Sequence, residues 1–407
     1  MGDERFDRYL QSFEEPAPVS IRLNPQKTQG LLPAEAEQVA WCKDGYYLSR
    51  RPNFTMDPLL HAGCYYVQEA ASMFLDDTLR QCLPSLSSLS PTLSALDLCA
   101  APGGKSTLLR SLLPADCLVI SNEPIRQRAN ILAENVMKWG IRNHLVTNNY
   151  PADFRQSKLR FDFILCDVPC SGEGMFRKDE ATIGEWSPQQ VEKCWKLQRQ
   201  IVDDAWACLN DGGLLIYSTC TFNTKENEEN IRYFLEKYDA HVLPIDIKPE
   251  WNITGSLLEG FTEPVYRFIP GISRSEGLFL CVLQKGSSDC FPKEEANLPK
   301  REYKYSRGRK KSFPMEKALN IITQTADEPT LYPQVELSYQ QAIAYLRHEA
   351  LQLSEDTPRG IIEVCFLGKP LGQAKNIGSR ANNLYPKEWK IKTTHIPNDY
   401  EAILRHT

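Results

Sequence analysis

The stretch that most constrains the fold of this chain is residues 95–107, which read Ala-Leu-Asp-Leu-Cys-Ala-Ala-Pro-Gly-Gly-Lys-Ser-Thr. Its apolar start predicts a short buried strand, its small residues predict a tight loop, and Lys105–Leu112 predicts the helix that follows. A ligand can approach backbone N–H groups closely at such a helix N-terminus. The stretch therefore predicts an α/β domain with a binding site at the end of a strand.

Two common nucleotide-binding motifs are excluded by single residues of this loop. A phosphate-binding loop of the form G-x-x-x-x-G-K-[ST] needs a glycine at position 99, where the chain has Cys99. The dinucleotide motif G-x-G-x-x-G is absent because Gly103 and Gly104 are adjacent. The next predicted strand, Cys117–Asn122, is followed by Glu123, about 20 residues past the loop, where an acid can hold the ribose of a nucleoside cofactor. The loop and this acid together predict a methyl-donor fold.

The composition is typical of a globular protein of two or three domains and excludes several other classes. The 407 residues carry a formal net charge of −5, which by itself gives no support to a nucleic-acid partner. No apolar run approaches the roughly 18 residues of a membrane span, and the charged N-terminus does not resemble a secretion signal. The 13 cysteines are scattered and form no C-x-x-C pair. We therefore expect reduced thiols in a cytoplasmic protein with no metal site and no membrane association, and we expect a monomer.

The order of elements predicts four parts. Short β-prone runs interrupted by Pro and Gly predict a small α+β unit over residues 1–64. Residues 65–287 alternate strands and helices, which favours a parallel sheet with helices on both faces. Residues 288–320 form a linker that contains the basic segment Lys300–Lys311, interpreted either as a contact for RNA phosphates or as a solvated tether. Residues 321–407 predict a compact accessory domain.

Two helices and a loop are predicted from local patterns. Tyr65–Leu79 has the spacing of an amphipathic helix that leads into the central domain, and Leu83–Thr92 is rich in Ser, Pro and Leu and is typical of a loop. Ser187 and Pro188 are suited to the N-cap and first position of a long helix over Ser187–Leu209.

Chemically distinctive residues follow two further predicted strands. One segment is Asp167–Gly174, which reads Asp-Val-Pro-Cys-Ser-Gly-Glu-Gly, and the other is Ser218-Thr219-Cys220-Thr221. The carboxyl ends of parallel strands meet at one edge of a sheet. We therefore expect Asp167, Cys170 and Cys220 to converge near the cofactor loop.

A thiol, an acid and a methyl donor suit methylation at carbon 5 of a pyrimidine. A thiolate that adds at carbon 6 makes carbon 5 nucleophilic, and an acid stabilises the charge that develops on the ring. A base must then remove the carbon-5 proton before the thiol leaves. Nearby Lys or Arg, or the positive charge of the donor, can depress the pKa of the thiol. The spacing does not decide whether Cys170 or Cys220 attacks.

The three segments Leu96–Lys105, Asp167–Gly174 and Ser218–Phe222, in this order, resemble the RNA cytosine-5 methyltransferases of the Sun/NOP family. The likeness spans about residues 15–285 and resumes in Gly368–Trp389, which is similar to a PUA-like RNA-binding domain. It implies a Rossmann-like class I methyltransferase core with a mostly parallel seven-stranded sheet. This core would lie between the small N-terminal α+β unit, residues 1–64, and a C-terminal PUA-like α+β domain, residues 321–407, and both of these units would bind RNA.

The resemblance also implies a cofactor and site residues. The cofactor is S-adenosyl-L-methionine, and the residues implied to bind it are Cys99, Ala100, Ala101, Pro102, Gly103, Gly104, Lys105, Glu123, Arg128 and Asp167. Cys220 is implied to be the nucleophile, while Cys170 helps to break the covalent adduct. Arg177 and Lys178 follow the Cys170 segment, and we expect them to contact RNA phosphates near the reacting base.

The chain departs from the pattern of this family at two places. Asn148-Asn149-Tyr150 stands where many members have an Asp near the cofactor's adenine, and Gly271 stands where many have a His. We expect neither change to abolish activity. The predicted function is S-adenosylmethionine-dependent methylation of cytosine C5 in 16S ribosomal RNA through a cysteine–cytosine adduct. The alternatives are a transfer RNA cytosine-5 methyltransferase and a non-catalytic RNA-binding factor of ribosome assembly.

Overall fold

The computed structural model describes residues 1–90, 92–286, 319–325, 331–393 and 395–406, so the basic segment Lys300–Lys311 lies outside the described residues. The helices in this part are α1 (Asp3–Gln11), α2 (Pro58–His61), α3 (Phe74–Leu89), α4 (Gly104–Leu112), α5 (Arg126–Trp139), α6 (Pro151–Ser157), α7 (Ala181–Glu185), α8 (Pro188–Ala207), α9 (Glu228–Lys237) and α10 (Tyr339–Leu346). The strands are β1 (Val19–Leu23), β2 (Leu31–Pro33), β3 (Glu37–Gln38), β4 (Gly45–Leu48), β5 (Tyr65–Val67), β6 (Ser94–Asp97), β7 (Leu118–Asn122), β8 (His144–Thr147), β9 (Phe161–Asp167), β10 (Leu209–Thr219), β11 (Ala240–Val242), β12 (Tyr266–Phe268), β13 (Leu278–Lys285), β14 (Ile321–Gln324), β15 (Gln334–Glu336), β16 (Gly360–Phe366), β17 (Lys369–Asn376), β18 (Ala381–Asn383) and β19 (Leu404–His406).

The large central sheet has the strand order β11-β13-β10-β9-β6-β7-β8-β14. Strands β8, β7, β6, β9 and β10 run parallel, whereas β13 is antiparallel to β10 and β11 is antiparallel to β13. Their number, seven, is the number that the family resemblance implies. Two antiparallel strands are added to it, because β12 pairs with β13 and β14 pairs with β8.

Strand β14 corrects the predicted boundary of the C-terminal unit at residue 321. The side chain of Asn149 accepts a hydrogen bond from Asn320 N at 3.0 Å, and its Nδ2 lies 3.4 Å from Asn320 O. This two-way contact aligns Ile321–Gln324 with the edge of β8. Residues 321–324 therefore extend the central sheet.

Alternate residues of β9 pack on opposite faces of the sheet. Phe163 and Leu165 belong to one buried cluster, and Ile164 and Cys166 belong to the other. Because both faces are covered, the middle of the strand carries apolar side chains at four consecutive positions, 163–166. The polar residue Asp167 then stands at the carboxyl end of the strand.

Helix α3 begins and ends later than the sequence pattern predicts. Tyr65–Val67 pairs with β1 as a strand instead of starting a helix, and the helix runs through the predicted loop to Leu89. The residues with helical spacing that pack into the core are Leu75, Leu79, Cys82 and Leu86. Burial of Leu86 stabilises the Ser-rich segment as helix, which local composition does not predict. The predicted start of α8 is confirmed, since the Ser187 side chain accepts from Gln190 N.

The two ends of the chain form one packed body. β3-β4-β1-β5 make an N-terminal sheet, and β15-β16-β17-β18 make a C-terminal sheet that packs with α10. β19 pairs with β2, which joins the C-terminus to the N-terminal unit. Ile21 and Leu59 from the first unit share a buried cluster with Ile343 and Ile362 from the second. Each unit thus buries its apolar face against the other.

Candidate active site

A cleft of about 260 Å³ lies at the carboxyl ends of β6 and β9. Its lining residues are Tyr66, Val67, Gln68, Glu69, Ser72, Asp97, Cys99, Ala100, Ala101, Pro102, Gly104, Lys105, Asp167 and Lys178. Most of the loop residues predicted to bind a cofactor line this cleft. Tyr66–Ser72 were missed, because nothing in their local pattern marks them as part of a site.

Gly103 shapes the loop without lining the cleft. It precedes α4 with a φ of +116°, a left-handed conformation that glycine adopts without strain. A Cβ at this position would lie 3.2 Å from Leu132 Cδ1. Gly103 therefore allows the loop to turn tightly against α5.

Lys105 and Asp167 form an ion pair in the cleft. Lys105 Nζ lies 2.8 Å from Asp167 Oδ2, and Ser218 Oγ donates to Asp167 Oδ1 at 2.6 Å. Burial alone would lower the pKa of Lys105, but attraction to Asp167 and the hydrogen bond outweigh burial and raise it. The site therefore keeps a cation beside the end of β9.

The sulfur atoms of Cys170 and Cys220 lie 3.3 Å apart, which confirms their predicted convergence. Two backbone hydrogen bonds bring their loops together: Val168 N donates to Ser218 O at 3.0 Å, and Gly174 N donates to Cys220 O at 2.7 Å. A Cβ on Gly174 would lie 2.3 Å from that carbonyl oxygen. The close approach of the two loops thus requires a glycine here.

The charges around the two thiols differ. The hydrogen bond with Cys170 lowers the pKa of Cys220, and the Lys105 cation acts in the same direction against burial and the Asp167 charge. The same hydrogen bond raises the pKa of Cys170, and burial and the Glu226 carboxylate raise it further. The arrangement therefore favours a thiolate at Cys220 and a neutral thiol at Cys170.

The fully buried carboxylate of Glu226 stabilises the Cys170 loop through hydrogen bonds. It accepts hydrogen bonds from Ser171 N at 3.0 Å, Gln198 Nε2 at 2.6 Å and Asn223 Nδ2 at 2.8 Å. Glu173 lies on the Cys170 loop and binds the Cys220 loop, because its Oε2 accepts hydrogen bonds from Phe222 N and Asn223 N, each at 2.8 Å. Sequence reasoning missed these contacts. Glu173 lies inside a segment already singled out, but Gln198 carries no local signal.

Glu123 and Arg128 connect the loop to the end of β7 but do not line the cleft. Glu123 is buried and accepts from Ile125 N at 3.0 Å, and Arg128 Nη1 lies 3.5 Å from its carboxylate. Arg128 Nη2 also donates to Ala101 O at 3.0 Å. Asn148 Nδ2 donates to Glu123 O at 2.8 Å, so this asparagine supports the backbone of the acid.

One carboxylate oxygen of Asp97 is buried and accepts no hydrogen bond from the described residues. Its Oδ2 accepts from Ser106 Oγ at 2.6 Å, whereas Oδ1 has no hydrogen-bond partner among the described residues. Burial, with a smaller contribution from the Asp167 charge, raises the pKa of Asp97 to about 7. A donor group in the cleft would satisfy this oxygen.

Arg177 does not suit its predicted contact with RNA. Its side chain is 7% exposed and forms an ion pair of 2.5 Å with Glu276, which is 3% exposed. It also donates to Ser12 O at 3.1 Å. A guanidinium committed to these buried acceptors is not free to bind a phosphate, so this prediction is corrected. Lys178 is exposed and lines the cleft, and its contact with RNA stays a prediction.

The described part of the chain holds neither a cluster of metal ligands nor a membrane-spanning helix. No group of three or more His, Cys, Asp or Glu side chains there is arranged to hold a metal ion. None of the helices there has the length and apolar character needed to cross a membrane.

The strand order, the small-residue loop after β6 and the cleft at the carboxyl edge define a methyltransferase with a Rossmann-like core. A solved methyltransferase homologue from Pyrococcus horikoshii has a similar fold, with a TM-score of 0.56 and 26% identity over 69% of this chain and 91% of its own. Residues 88–284 match the family model of 16S rRNA methyltransferase RsmB/F. Residues 1–70 match the N-terminal domain of 16S rRNA methyltransferase RsmF, and residues 332–391 match the RsmF PUA domain. The chain belongs to the RsmB/F methyltransferase family.

Two curated relatives show the extent of the similarity. Ribosomal RNA small subunit methyltransferase F of Cronobacter sakazakii is 28% identical over 94% of this chain and 92% of its own length. The protein of the same name from Shewanella amazonensis is 33% identical over 67% of this chain and 59% of its own. The first likeness therefore includes both terminal units as well as the core.

Proposed function

We propose that this protein methylates carbon 5 of a cytosine in 16S ribosomal RNA with S-adenosylmethionine, through a covalent adduct at Cys220. The observation that carries the proposal is the pair of sulfurs 3.3 Å apart beside the Lys105–Asp167 ion pair. The names of the relatives supply the RNA. We extend the family's methyltransferase activity to this base and this atom from the site chemistry.

The residues of the cleft fit the proposed cofactor. The small side chains of Ala100 and Ala101 leave room along the loop, and Asp97 Oδ1 offers an unused acceptor for an ammonium group. The cofactor, when bound, supplies an electrophilic methyl group. Residues of the loop would hold it against the carboxyl edge of the sheet, next to Asp167.

The first step belongs to Cys220. Its thiolate adds to carbon 6 of the cytosine, and the electron pair of the 5,6 double bond becomes available at carbon 5 for bonding to the methyl group. The negative charge that develops on the ring needs stabilisation near N3 and the amino group. Asp167, held by Lys105 and Ser218, is assigned to this position, where its carboxylate accepts a hydrogen bond from the amino group and the adjacent Lys105 cation offsets the negative charge.

Product release reverses the addition. A base removes the proton from carbon 5, the double bond re-forms, and the bond between carbon 6 and the Cys220 sulfur breaks. The thiol of Cys170 can donate a hydrogen bond to the leaving sulfur, because the two sulfurs are within 3.3 Å. This gives Cys170 a role in elimination instead of attack.

Replacement of each cysteine tests the proposal. Cys220→Ala should abolish methylation and any covalent RNA adduct, whereas Cys170→Ala should accumulate an adduct that survives a denaturing gel. An exchange of these two phenotypes would overturn the assignment of roles. Assays on small ribosomal subunits and on bulk transfer RNA separate the two RNA substrates. Failure to bind S-adenosylmethionine in calorimetry would favour a non-catalytic RNA-binding factor.

A further inference from the structure

A buried arginine of the N-terminal unit reaches the cofactor loop. Arg22 on β1 is 2% exposed, and its Nε donates to Gln68 Oε1 at 2.7 Å. Its Nη2 donates to Thr107 Oγ1 at 2.7 Å and to Gly104 O at 3.1 Å. The guanidinium carbon lies 4.4 Å from the centre of the Trp139 ring. No carboxylate among the described residues forms an ion pair with Arg22, so neutral groups satisfy this buried cation.

The hydrogen bonds of Arg22 converge on the two glycines of the loop. Thr107 Oγ1 accepts from Arg22 and donates to Gly103 O at 2.8 Å, while Gly104 O accepts from Arg22 directly. Arg22 therefore contacts the Gly103 carbonyl through the Thr107 hydroxyl and the Gly104 carbonyl directly. Gly103 O also accepts from Thr107 N at 2.9 Å, so Arg22, a side chain from another part of the chain, adds to the backbone hydrogen bond that orients this turn.

The acceptor Gln68 is held in place by β1 and by the segment that follows β5. Gln68 Nε2 donates to Ser72 Oγ at 3.2 Å, and Ser20 Oγ donates to Gln68 O at 2.6 Å. A Cβ on Gly104 would lie 3.3 Å from Tyr66 Cε1, so the loop packs directly on this segment. Tyr66 and Gln68 line the cleft themselves.

A role in stability alone does not explain this arrangement. Removing a cation from water is costly, and burial lowers the pKa of Arg22 to about 10. A cation at the start of α4 is also opposed by the helix dipole, whose N-terminal end is positive. An apolar side chain would join the two units at lower cost, but it could not hold the carbonyl groups of the loop.

We propose that Arg22 is a positioning residue for the methyl-donor site, which holds the peptide groups of Gly103 and Gly104 in the binding conformation from the N-terminal unit. This inference rests on the proposed use of S-adenosylmethionine. It makes the N-terminal unit a structural component of the cofactor site, in addition to its predicted contact with RNA. Arg22 acts through the loop and through Thr107.

The test compares Arg22→Lys, Thr107→Val and Thr107→Ser in the full chain. Calorimetry with S-adenosylhomocysteine gives Kd, thermal unfolding gives Tm, and steady-state kinetics separate KM from kcat. We expect Arg22→Lys and Thr107→Val to raise Kd at least tenfold and to raise the KM for S-adenosylmethionine, with a smaller change in kcat. Thr107→Ser keeps the hydroxyl and should bind within about twofold of the wild type.

Arg110→Lys is the matched control. Arg110 is 1% exposed on the same helix, but it donates to Leu113 O, Pro114 O and Cys117 O beyond the opposite end of α4. This variant should lower Tm and leave Kd unchanged. Wild-type Kd values for Arg22→Lys and Thr107→Val would overturn the proposal. It would also be overturned if Arg110→Lys, at the same Tm as those variants, showed the same increase in Kd. A wild-type protein that does not bind S-adenosylhomocysteine would instead contradict the proposed function on which the inference rests.

Discussion

The carboxylate of Glu226 accepts a hydrogen bond of 3.0 Å from the backbone N–H of Ser171, the residue directly after Cys170. Glu226 precedes α9 and Ser171 follows β9, so this bond joins the loops that carry the two cysteines. No cation forms an ion pair with Glu226 within the described part of the chain, whereas Glu228 pairs with the buried Arg267. A negative charge thus faces Cys170 while Lys105 faces Cys220.

Neutralising Glu226 should lower the pKa of Cys170. In a Cys220→Ala background, we expect Glu226→Gln to move the midpoint of Cys170 alkylation to lower pH, because the thiolate no longer faces a carboxylate. Mass spectrometry of the Cys170 peptide after timed iodoacetamide treatment measures this midpoint. Glu173→Gln is the control, since Glu173 binds the opposite loop and should not move it. Equal midpoints in all variants would contradict the electrostatic role of Glu226.

Cys220 should react at lower pH than an ordinary cysteine. Its alkylation rate rises with pH as the thiolate forms, so a lowered pKa moves the whole curve to lower pH. Cys170→Ala removes the hydrogen bond that contributes most to this shift and should move the curve back toward higher pH. Lys105→Met should do the same to a smaller extent. The prediction is wrong if Cys170→Ala leaves the Cys220 midpoint unchanged.

Asp97 should make the cofactor-free protein less stable as pH rises. The folded protein holds the proton up to about pH 7, whereas an unfolded Asp releases it near pH 4, so the unfolding free energy falls between these values. Asp97→Asn should lose this pH dependence of the unfolding free energy, which amounts to about 2–3 kcal/mol between pH 5 and pH 8 for a shift of this size. Urea unfolding at pH 5 and pH 8 measures it. The same loss of stability in both proteins would show that Asp97 is not its source.

Replacement of Arg177 should reduce stability, whereas replacement of Lys178 should weaken RNA binding. Arg177→Ala leaves Glu276 as an unpaired buried charge and should cost about 3–5 kcal/mol of unfolding free energy. Lys178→Ala should change that free energy by less than about 0.5 kcal/mol, since the side chain is exposed. It should weaken RNA binding and reduce the salt dependence of the binding constant. Denaturation and filter binding at two salt concentrations distinguish the two variants, and a loss of RNA affinity confined to Arg177→Ala would reverse the assignment.

The convergence of the cysteines could be predicted because it depends on local patterns and one topological rule. β9 and β10 each have an apolar run with a distinctive segment after it, and parallel strands end at the same edge. The positions of Cys170 and Cys220 follow from these two facts. The course of α3 could not be predicted in this way, because burial of Leu86 in the core outweighs the composition of its last turns.

The amino-acid sequence by itself indicated the alternation of strands and helices in the central domain, the loop after β6 and the kinds of side chain that follow β9 and β10. Only the tertiary structure decided which charged groups are committed to internal contacts. Arg177 is close to the Cys170 segment in sequence but forms a buried ion pair with Glu276, whereas Arg22 is remote from the loop in sequence but donates a hydrogen bond to Gly104 O. The physical reason is that strands and loops depend largely on residues that are neighbours in the chain. The desolvation and pairing of a charge depend on distant groups that folding brings around it.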